Sequence, residues 1–380
     1  MAKQFTIQVK QSVLDDLKDR LHRTRWPDEP PKAGWKMGTN MSYLKELVQY
    51  WQHTYDWRKH EAKLNELPQF MAQIDGLDIH FAHVKSKHDG AKPLLLLHGW
   101  PDSFYRYYKI IPMLTDPEAY GGKPEDAFDV VVPSLPGYGF STHNTLSSNA
   151  AADVFVALMT KELGYERFLV AGGDMGSIVA KAMATNHPKA IAAMHVTDAG
   201  FPSGQEDPST LSKSEREFGE YIQKWWTTQG AYAMVHSTKP QTLALAINDS
   251  PAGLASWVIS FIDSGAQDHD VEAAVGGRDA LLTLITIDWV TQNAGPATRM
   301  YFYDAVEKYS QPGGNKPAPK SEVPAALVVF PRDAPTPEDW GKRTLNLQRY
   351  HKMKQGGHFA PMELPELYAD DLRSFFSAYQ

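Results

Sequence analysis

The feature that most constrains the fold is a glycine-rich turn at residues 172–176, Gly-Gly-Asp-Met-Gly. An apolar run at 168–171 precedes it and has the composition of a buried strand, and residues 177–187 after it have helical character. A sharp turn between a strand and a helix lifts one side chain above a parallel sheet when small residues stand two positions before and after it. Gly172 and Gly176 occupy those positions, so the lifted residue is Asp174.

Asp174 in such a turn predicts a carboxylate nucleophile. The chain contains no Gly-x-Ser-x-Gly sequence, and residues 139–141 (Gly-Phe-Ser), which come nearest, lack the second glycine. A carboxylate that attacks a saturated carbon forms an ester, which water can hydrolyse with help from a histidine and an oxyanion hole. The expected substrates are therefore epoxides or alkyl halides rather than ordinary esters. A glycine-flanked aspartate that only caps a helix is the alternative interpretation.

Composition argues against several other classes of protein. The chain has 380 residues, a net charge of -7 and no cysteine. The negative charge gives no general attraction to nucleic acid or anionic membranes, and the lack of cysteine excludes disulfides and thiolate metal sites. We expect no nucleic-acid partner, no stable membrane association, no metal and no organic cofactor. A polar N-terminus and the lack of a bilayer-spanning apolar run favour a cytoplasmic location.

The order of strands and helices predicts an α/β fold. Apolar runs at 93–97, 129–133 and 168–171 end in loops and are separated by helical segments, as in a mostly parallel sheet flanked by helices. After a further strand at 191–196 the pattern becomes mostly helical and rich in aromatic residues, which predicts an inserted cap. The expected segments are an N-terminal extension (1–68), a first core part of the sheet domain (69–198), a helical cap (199–320) and a second core part (321–380).

Local patterns refine this division. Alternating apolar residues at 5–9 predict a short N-terminal strand, which two helices follow. Asp75 and Gly76 between two apolar runs predict a β-hairpin. Residues 311–320 are rich in Pro, Gly and Lys and are predicted to form a linker from the cap back to the sheet.

Asp174 needs a histidine that activates water and an acid that orients this histidine. Of the 14 histidines, His358 stands out because it lies in a glycine-hinged loop after the last predicted strand. Enzymes built on this type of turn carry the nucleophile, the acid and the histidine in that order. Asp333, which follows the strand predicted at 325–330, is the expected acid, and Asp198 and Asp339 are the alternatives.

The ester intermediate also needs two backbone N–H groups that stabilise its oxyanion. Met175, directly after Asp174, offers one, and Trp100 in the loop after the strand at 93–97 offers the other. His98 in the same loop is expected to hold the loop in place by hydrogen bonds, because better candidates exist for the base.

Opening an epoxide requires a proton donor that faces the nucleophile. A tyrosine hydroxyl suits this task because it stays protonated at neutral pH. The predicted cap offers Tyr232, Tyr301, Tyr303 and Tyr309.

Four motifs follow one another along the chain: His-Gly-Trp-Pro at 98–101, the loop at 134–141, Gly-Gly-Asp-Met-Gly-Ser at 172–177 and Gly-Gly-His-Phe at 356–359. Together they resemble the epoxide hydrolases of the alpha/beta-hydrolase superfamily, in their microsomal-type branch. Arg-Trp-Pro at 25–27 resembles the N-terminal region of this branch, so the resemblance covers nearly the whole chain.

The resemblance implies an enzyme that converts epoxides to vicinal diols through an aspartyl ester, with Asp174 as nucleophile, His358 as base and Asp333 as acid. The segments 237–240 (Ser-Thr-Lys-Pro) and 249–254 are similar to cap motifs of the family. They imply that Tyr232 and Tyr301 open the ring, with Tyr303 as the alternative to Tyr301. The expected reactants are a small-molecule epoxide and water, and the expected assembly is a homodimer.

Two residues depart from the family pattern. Met175 stands where the family usually has Trp, and Asp102 stands where Gly is commoner. A haloalkane dehalogenase is the nearest chemical alternative, but it needs a halide donor such as a Trp beside the nucleophile, which Met175 cannot supply. A non-catalytic ligand-binding protein on the same fold is the other alternative, and it would have no need of the five polar residues proposed for the reaction.

Overall fold

We describe residues 1–310 and 319–379 of a computed structural model of the chain. Within these residues, nine strands form one sheet: β1 (Lys3–Phe5), β2 (Gln69–Ile74), β3 (Leu77–Val84), β4 (Lys92–Leu97), β5 (Phe128–Pro133), β6 (Phe168–Gly172), β7 (Ile191–Val196), β8 (Pro324–Val329) and β9 (Asn346–Lys352). The predicted segment 311–318 of the linker lies outside the described residues.

The sheet has the strand order β1-β2-β3-β5-β4-β6-β7-β8-β9. Strands β5, β4, β6, β7, β8 and β9 run parallel to one another, and β1, β2 and β3 add an antiparallel edge. The predicted hairpin is confirmed, because Ile74 and Leu77 pair across a turn in which Asp75 and Gly76 have φ values of 48° and 82°. The predicted α/β fold with a mostly parallel sheet is likewise confirmed.

Sixteen α-helices accompany the sheet in the part of the chain that the structure describes: α1 (Gln11–His22), α2 (Met41–His53), α3 (Trp57–Leu64), α4 (Ile111–Thr115), α5 (Ser148–Ala157), α6 (Met175–Asn186), α7 (Lys213–Thr228), α8 (Ala231–Thr238), α9 (Pro240–Asp249), α10 (Pro251–Gly265), α11 (Val271–Ala274), α12 (Arg278–Thr291), α13 (Ala294–Ser310), α14 (Glu338–Thr344), α15 (Ala360–Glu363) and α16 (Pro365–Phe376). Helices α7 to α13 all lie between β7 and β8 in the chain, where sequence predicted helical patterning.

The central strands are apolar because helices cover both faces of the sheet. Leu94, Leu95, Leu96 and Leu97 of β4 are fully buried, and alternate residues contribute to two separate hydrophobic clusters. Alternation of side chains across a strand places the two clusters on opposite faces of the sheet.

The N-terminal strand is shorter than predicted. It covers Lys3–Phe5 and pairs with β2, but it does not continue through Ile7 and Val9. The N–H of Ile7 donates to Asn65 Oδ1 at 2.8 Å, and the N–H of Val9 donates to Glu61 Oε1 at 2.7 Å. Side chains of α3 and of the residue that follows it therefore bind the backbone groups that a longer strand would have presented to the sheet.

The strand order reverses between β4 and β6. From β4 the chain moves outward to β5 on one side, and from β6 it moves outward to β7 on the other. Ligands bind at such a reversal, beyond the carboxyl ends of the strands, because the following loops separate there and leave a crevice. The loops that contain Trp100 and Asp174 follow these two strands.

Every helix within residues 1–310 and 319–379 is too short or too polar to cross a lipid bilayer.

Candidate active site

Asp174 lies at the strained turn between β6 and α6. Its backbone has φ 54° and ψ -131°, a conformation that non-glycine residues rarely adopt and that is often found at functional sites. Both flanking positions require glycine because other backbone groups lie very close to them. A Cβ at Gly172 would overlap the carbonyl of Gly176, and a Cβ at Gly176 would overlap the carbonyl of Leu97. The turn therefore has the geometry that the glycine spacing predicted.

The carboxylate of Asp174 has two distinct oxygens. The backbone N–H of Trp100 donates to Oδ1 at 2.8 Å, and Gly99 leaves room for this approach because a Cβ there would overlap the carboxylate. Burial raises the pKa of Asp174, whereas His358 and the backbone N–H groups of Trp100 and Met175 lower it, and the net direction is upward. Trp100 and Met175 thus both supply N–H groups to the carboxylate, as expected for an oxyanion site.

His358 lies in the loop between β9 and α15, directly opposite the second oxygen. Its Nε2 is 3.6 Å from Asp174 Oδ2, and its Nδ1 is 3.2 Å from Asp333 Oδ2. The Nδ1–H therefore donates to Asp333, which leaves the lone pair of Nε2 on the side of Asp174. Among the described residues, Nε2 has no hydrogen-bond partner. Burial lowers the pKa of His358, but the carboxylates of Asp333 and Asp174 outweigh burial and raise this pKa above its ordinary value.

Asp333 follows β8, and a bridge between Arg332 and Gly357 aligns its loop with the loop of His358. Burial raises the pKa of Asp333, but His358 and the N–H of Ala334 outweigh burial and lower it overall. The carboxylate therefore stays charged beside the imidazole.

The two alternative acids bind other groups. Asp198 accepts a hydrogen bond from the backbone N–H of Gly200 at 2.5 Å. Asp339 accepts hydrogen bonds from the hydroxyls of Ser212 and Ser214 at 2.8 and 2.9 Å. Of the three predicted candidates, the structure brings Asp333 to His358.

Tyr232 from α8 and Tyr301 from α13 lie together, with ring centroids 6.2 Å apart and ring planes at 79°. Burial and, second, the charge of Asp174 raise the pKa of both hydroxyls well above the ordinary value, so both stay protonated. Tyr303 is 40% exposed and Tyr309 is 67% exposed. The structure therefore pairs Tyr232 with Tyr301 and turns the other two candidates toward solvent.

A cavity of about 360 Å³ lies beside Asp174, Tyr232, Asp333 and His358, and Tyr301 is not among its lining residues. Asp174, Tyr232, Asp333 and His358 contribute polar atoms to its lining. Its apolar wall includes Phe201, Ile222, Trp225, Phe261, Ile262 and Phe359. Trp100 stacks on Tyr232 with ring centroids 5.1 Å apart, so the loop after β4 packs directly against α8. The cavity therefore combines an apolar wall with polar groups around Asp174.

His98 has the supporting role that the sequence predicted. Its Nε2 accepts a hydrogen bond from the N–H of Leu135 at 3.0 Å, and its Nδ1 lies 3.1 Å from the carbonyl oxygen of Gly99. Burial lowers the pKa of His98 to about 3, so the ring is neutral. His98 therefore ties the loop after β4 to the loop after β5, with both ring nitrogens engaged by the backbone.

Sequence reasoning missed two buried polar contacts beside the cavity. The guanidinium of Arg106 pairs with Asp102 and donates to the carbonyl oxygen of His358. The indole N–H of Trp257 donates to His236 Nε2 at 3.1 Å, and the ring of His236 packs against Trp100. The sequence contained a signal for the contact of Arg106 with Asp102, because this charged pair is four residues apart in an otherwise aromatic segment. It contained no signal for the contact of Trp257 with His236.

A group that could hold a metal ion lies elsewhere. His88, Asp116 and Glu118 bring their ligand atoms within 4.8 Å of one another, and they are the only such group among the described residues. None of the three lines the cavity that contains Asp174.

Comparison with known proteins assigns the family. The family described as Epoxide hydrolase N terminus matches residues 2–107, and the alpha/beta hydrolase fold family matches residues 92–240. A Stigmatella aurantiaca protein whose name places it among the epoxide hydrolases is 40% identical over 98% of this chain and 84% of its own length. The chain belongs to the epoxide hydrolase family. Epoxide hydrolase 1 of Sus scrofa is 35% identical over 98% of this chain and 87% of its own length.

Solved structures in the epoxide hydrolase family agree with this assignment. The epoxide hydrolase of Aspergillus niger superposes with a TM-score of 0.83 at 28% identity and covers 100% of this chain and 97% of its own. The predicted resemblance to the microsomal-type epoxide hydrolases is thus confirmed over nearly the full length of the chain.

Proposed function

We propose that the protein hydrolyses epoxides to vicinal diols through a covalent ester on Asp174. One observation carries the proposal: Asp174 Oδ1 is held by the N–H of Trp100, while Oδ2 faces the imidazole that Asp333 orients. This arrangement leaves Oδ2 free to form a bond and keeps a base beside the ester that results. The family assignment supports the same chemistry.

In the first step, Oδ2 of Asp174 attacks one epoxide carbon, and the bond from that carbon to the ring oxygen breaks. The ring oxygen takes a proton from Tyr232 or Tyr301, whose burial keeps both protonated. The products are an ester and a tyrosinate. A proton donor of this type contributes about 10² to 10⁴ in rate.

In the second step, His358 Nε2 takes a proton from water, and the hydroxide attacks Cγ of the Asp174 ester. The charge that develops on Oδ1 is stabilised by the N–H groups of Trp100 and Met175. The bond from Cγ to the diol oxygen then breaks, and the proton of the new carboxyl group passes to that oxygen. The imidazolium returns its proton to the tyrosinate, so one epoxide and one water give one diol.

We also propose that the described part of the predicted cap segment 199–320, residues 199–310, forms a cap over the sheet domain. Trp225 of α7, Tyr232 of α8 and Phe261 of α10 line the cavity opposite Asp174, which supports this division. On this proposal, the cap supplies both ring-opening tyrosines and most of the apolar wall. A homodimer and a cytoplasmic location remain predictions.

The experiment is intact mass spectrometry of His358→Gln after exposure to styrene oxide, epoxyhexane and bromohexane. Glutamine removes the base, so we expect the ester to form and persist. A mass gain equal to the whole epoxide, located on Asp174 by peptide mapping, is the expected result. Asp174→Asn is the control and should gain no mass.

Two other results would contradict the proposal. A gain equal to the alkyl part of bromohexane alone, with none from either epoxide, would indicate dehalogenation. A folded His358→Gln variant that gains no mass, together with a wild type that turns over none of the three compounds, would indicate a non-catalytic ligand-binding protein.

A further inference from the structure

Arg106 and Asp102 form a buried ion pair beside the cavity. The two steps proposed above do not use this pair. Nη1 of Arg106 donates to Oδ2 of Asp102, and the two side chains are 1% and 0% exposed. Removing two charges from water is costly, and a buried pair needs further hydrogen bonds to offset this cost. The other contacts of Arg106 are therefore informative.

The second contact of Arg106 reaches the loop of the catalytic histidine. Its Nη2 donates to the backbone carbonyl oxygen of His358 at 2.5 Å. Its guanidinium carbon lies 5.7 Å from the ring centroid of Phe359. A hydrogen bond from a charged, buried donor is stronger than a neutral one. Arg106 thus holds the backbone of the residue that carries the imidazole.

The guanidinium also occupies the space behind the turn that carries Asp174. A Cβ at Gly173 would lie 2.6 Å from Nη2 of Arg106, so the glycine leaves room for the charged group. The backbone N–H of Asp102 donates to the carbonyl of Gly99 at 3.1 Å, one residue before Trp100. The side chain of Arg106 therefore lies between the Asp174 turn and the histidine loop, and it donates its hydrogen bond to the histidine loop, at His358.

We propose that Arg106, anchored by Asp102, is a positioning residue for hydrolysis of the ester. It keeps the loop of His358 at the distance from Asp174 at which Nε2 can activate water. This inference rests on the proposed function. Ester formation uses Asp174 and the cap tyrosines, whereas ester hydrolysis depends on His358. Loss of Arg106 should consequently slow the second step and leave the first nearly unchanged.

The test measures the two steps separately in Arg106→Gln and Arg106→Lys, with styrene oxide and rapid-quench intact mass spectrometry. In Arg106→Gln we expect ester formation within about 3-fold of wild type and ester hydrolysis slowed about 10- to 100-fold, because small misplacements of a catalytic group have effects of this size. The ester should accumulate. Arg106→Lys keeps a charged donor and should restore part of the hydrolysis rate.

Arg373 offers a matched control. It is also a buried arginine that pairs with an aspartate, Asp370, and donates to a backbone carbonyl, that of Met113, at 2.9 Å. It does not line the cavity. Because Asp370 is 66% exposed, Arg373→Gln should lower thermal stability less than Arg106→Gln, and it should leave the ratio of the two rates unchanged.

Arg106→Gln leaves Asp102 buried without its partner, which lowers the stability of the fold. The double variant Asp102→Asn/Arg106→Gln removes both charges and tests the same step without this penalty. Equal slowing of ester formation and hydrolysis in the folded double variant, or no slowing of either, would overturn the inference. Failure of the proposed function is a separate result, since His358→Gln would then trap no ester.

Discussion

His358 and His195 each bind an aspartate, but they lie in different surroundings. His358 uses Nδ1 to bind Asp333 and directs Nε2 toward Asp174 in the cavity. His195 in β7 uses Nε2 to bind Asp371 of α16 at 2.8 Å, and its side chain is fully buried. The ring of His195 packs against Tyr368, with centroids 5.6 Å apart, and does not line the cavity.

The difference shows what separates the proposed catalytic pair from a structural one. Asp371 also binds Arg349 and His351. Burial raises the pKa of Asp371, but these partners and His195 outweigh burial and lower the pKa to about 2. Nδ1 of His195 has no hydrogen-bond partner among the described residues, but the ring is buried against Tyr368, Phe375 and Phe376 and does not line the cavity, so the network can stabilise the fold but cannot reach a ligand there. The pair of His358 and Asp333 leaves one nitrogen free at the wall of a cavity, which is the requirement for a general base.

The largest expected effect follows from removing the free nitrogen. His358→Gln should lower diol formation by about 10⁴-fold, because general-base catalysis at this step is lost. Chemical denaturation should show little change in the free energy of unfolding. His195→Gln is the control: steady-state assays of its folded fraction should give turnover close to wild type, and a large loss there would contradict the comparison.

Asp333→Asn should have the next largest effect. The amide cannot hold the Nδ1–H tautomer of His358, and a similar loss in other catalytic triads lowers turnover by about 10³- to 10⁴-fold. Single-turnover measurements should show slow ester hydrolysis and near-normal ester formation. Asp198→Asn is the matched control, since Asp198 lines the cavity without contacting the imidazole. If Asp198→Asn has the larger effect, the assignment of the acid is wrong.

Asp371→Asn should affect stability rather than turnover. Breaking a buried pair of this type costs about 3 kcal/mol, because His195 loses its charged partner. Urea denaturation followed by circular dichroism measures this cost. Turnover per folded molecule should stay within about 2-fold of wild type. A large fall in turnover without a change in the midpoint would mean that the sealed pair takes part in the reaction.

Tyr232→Phe extends the comparison to the cap. Loss of one of the two proposed ring-opening hydroxyls should slow ester formation about 10- to 100-fold. The effect is limited to this range because Tyr301 can still donate a proton to the ring oxygen. Tyr303→Phe should change the rate by less than about 2-fold, because Tyr303 faces solvent. Stopped-flow tryptophan fluorescence can follow ester formation in both variants. Equal effects of the two substitutions would rule out the assigned pair.

The smallest expected effect is a displacement of the pH profile. Hydrolysis requires neutral His358, so its rate falls as pH decreases through the pKa of this group. Asp333 raises that pKa, which places the acid limb above the ordinary histidine value, and Asp333→Asn should move the limb to lower pH. The hydroxyls of Tyr232 and Tyr301 have raised pKa values, so the profile should show no loss of activity on the basic side up to the ordinary pKa of tyrosine. Single-turnover rates across the pH range test both limbs.

The sequence by itself determined the features that depend on neighbouring residues. The turn at Asp174 could be predicted because its sterics involve residues within two positions of one another. The β-hairpin at Asp75 and Gly76 is equally local. The apolar runs of the central strands were recognisable because both faces of the sheet are covered. The glycine-hinged loop after the last predicted strand, together with chain order, identified His358 as the base candidate.

Only the tertiary structure decided which distant side chains meet. Asp198 and Asp333 both follow strands of the sheet, and the bridge between Arg332 and Gly357 is what brings Asp333 to the histidine loop. Tyr301 and Tyr303 are two residues apart on α13, so at 3.6 residues per turn they point to different sides, and the packing of α13 on α8 selects Tyr301.

The contact of Arg106 with the carbonyl of His358 spans 252 residues of chain. Its existence depends on how two loops pack, and a local sequence pattern carries no information about such packing.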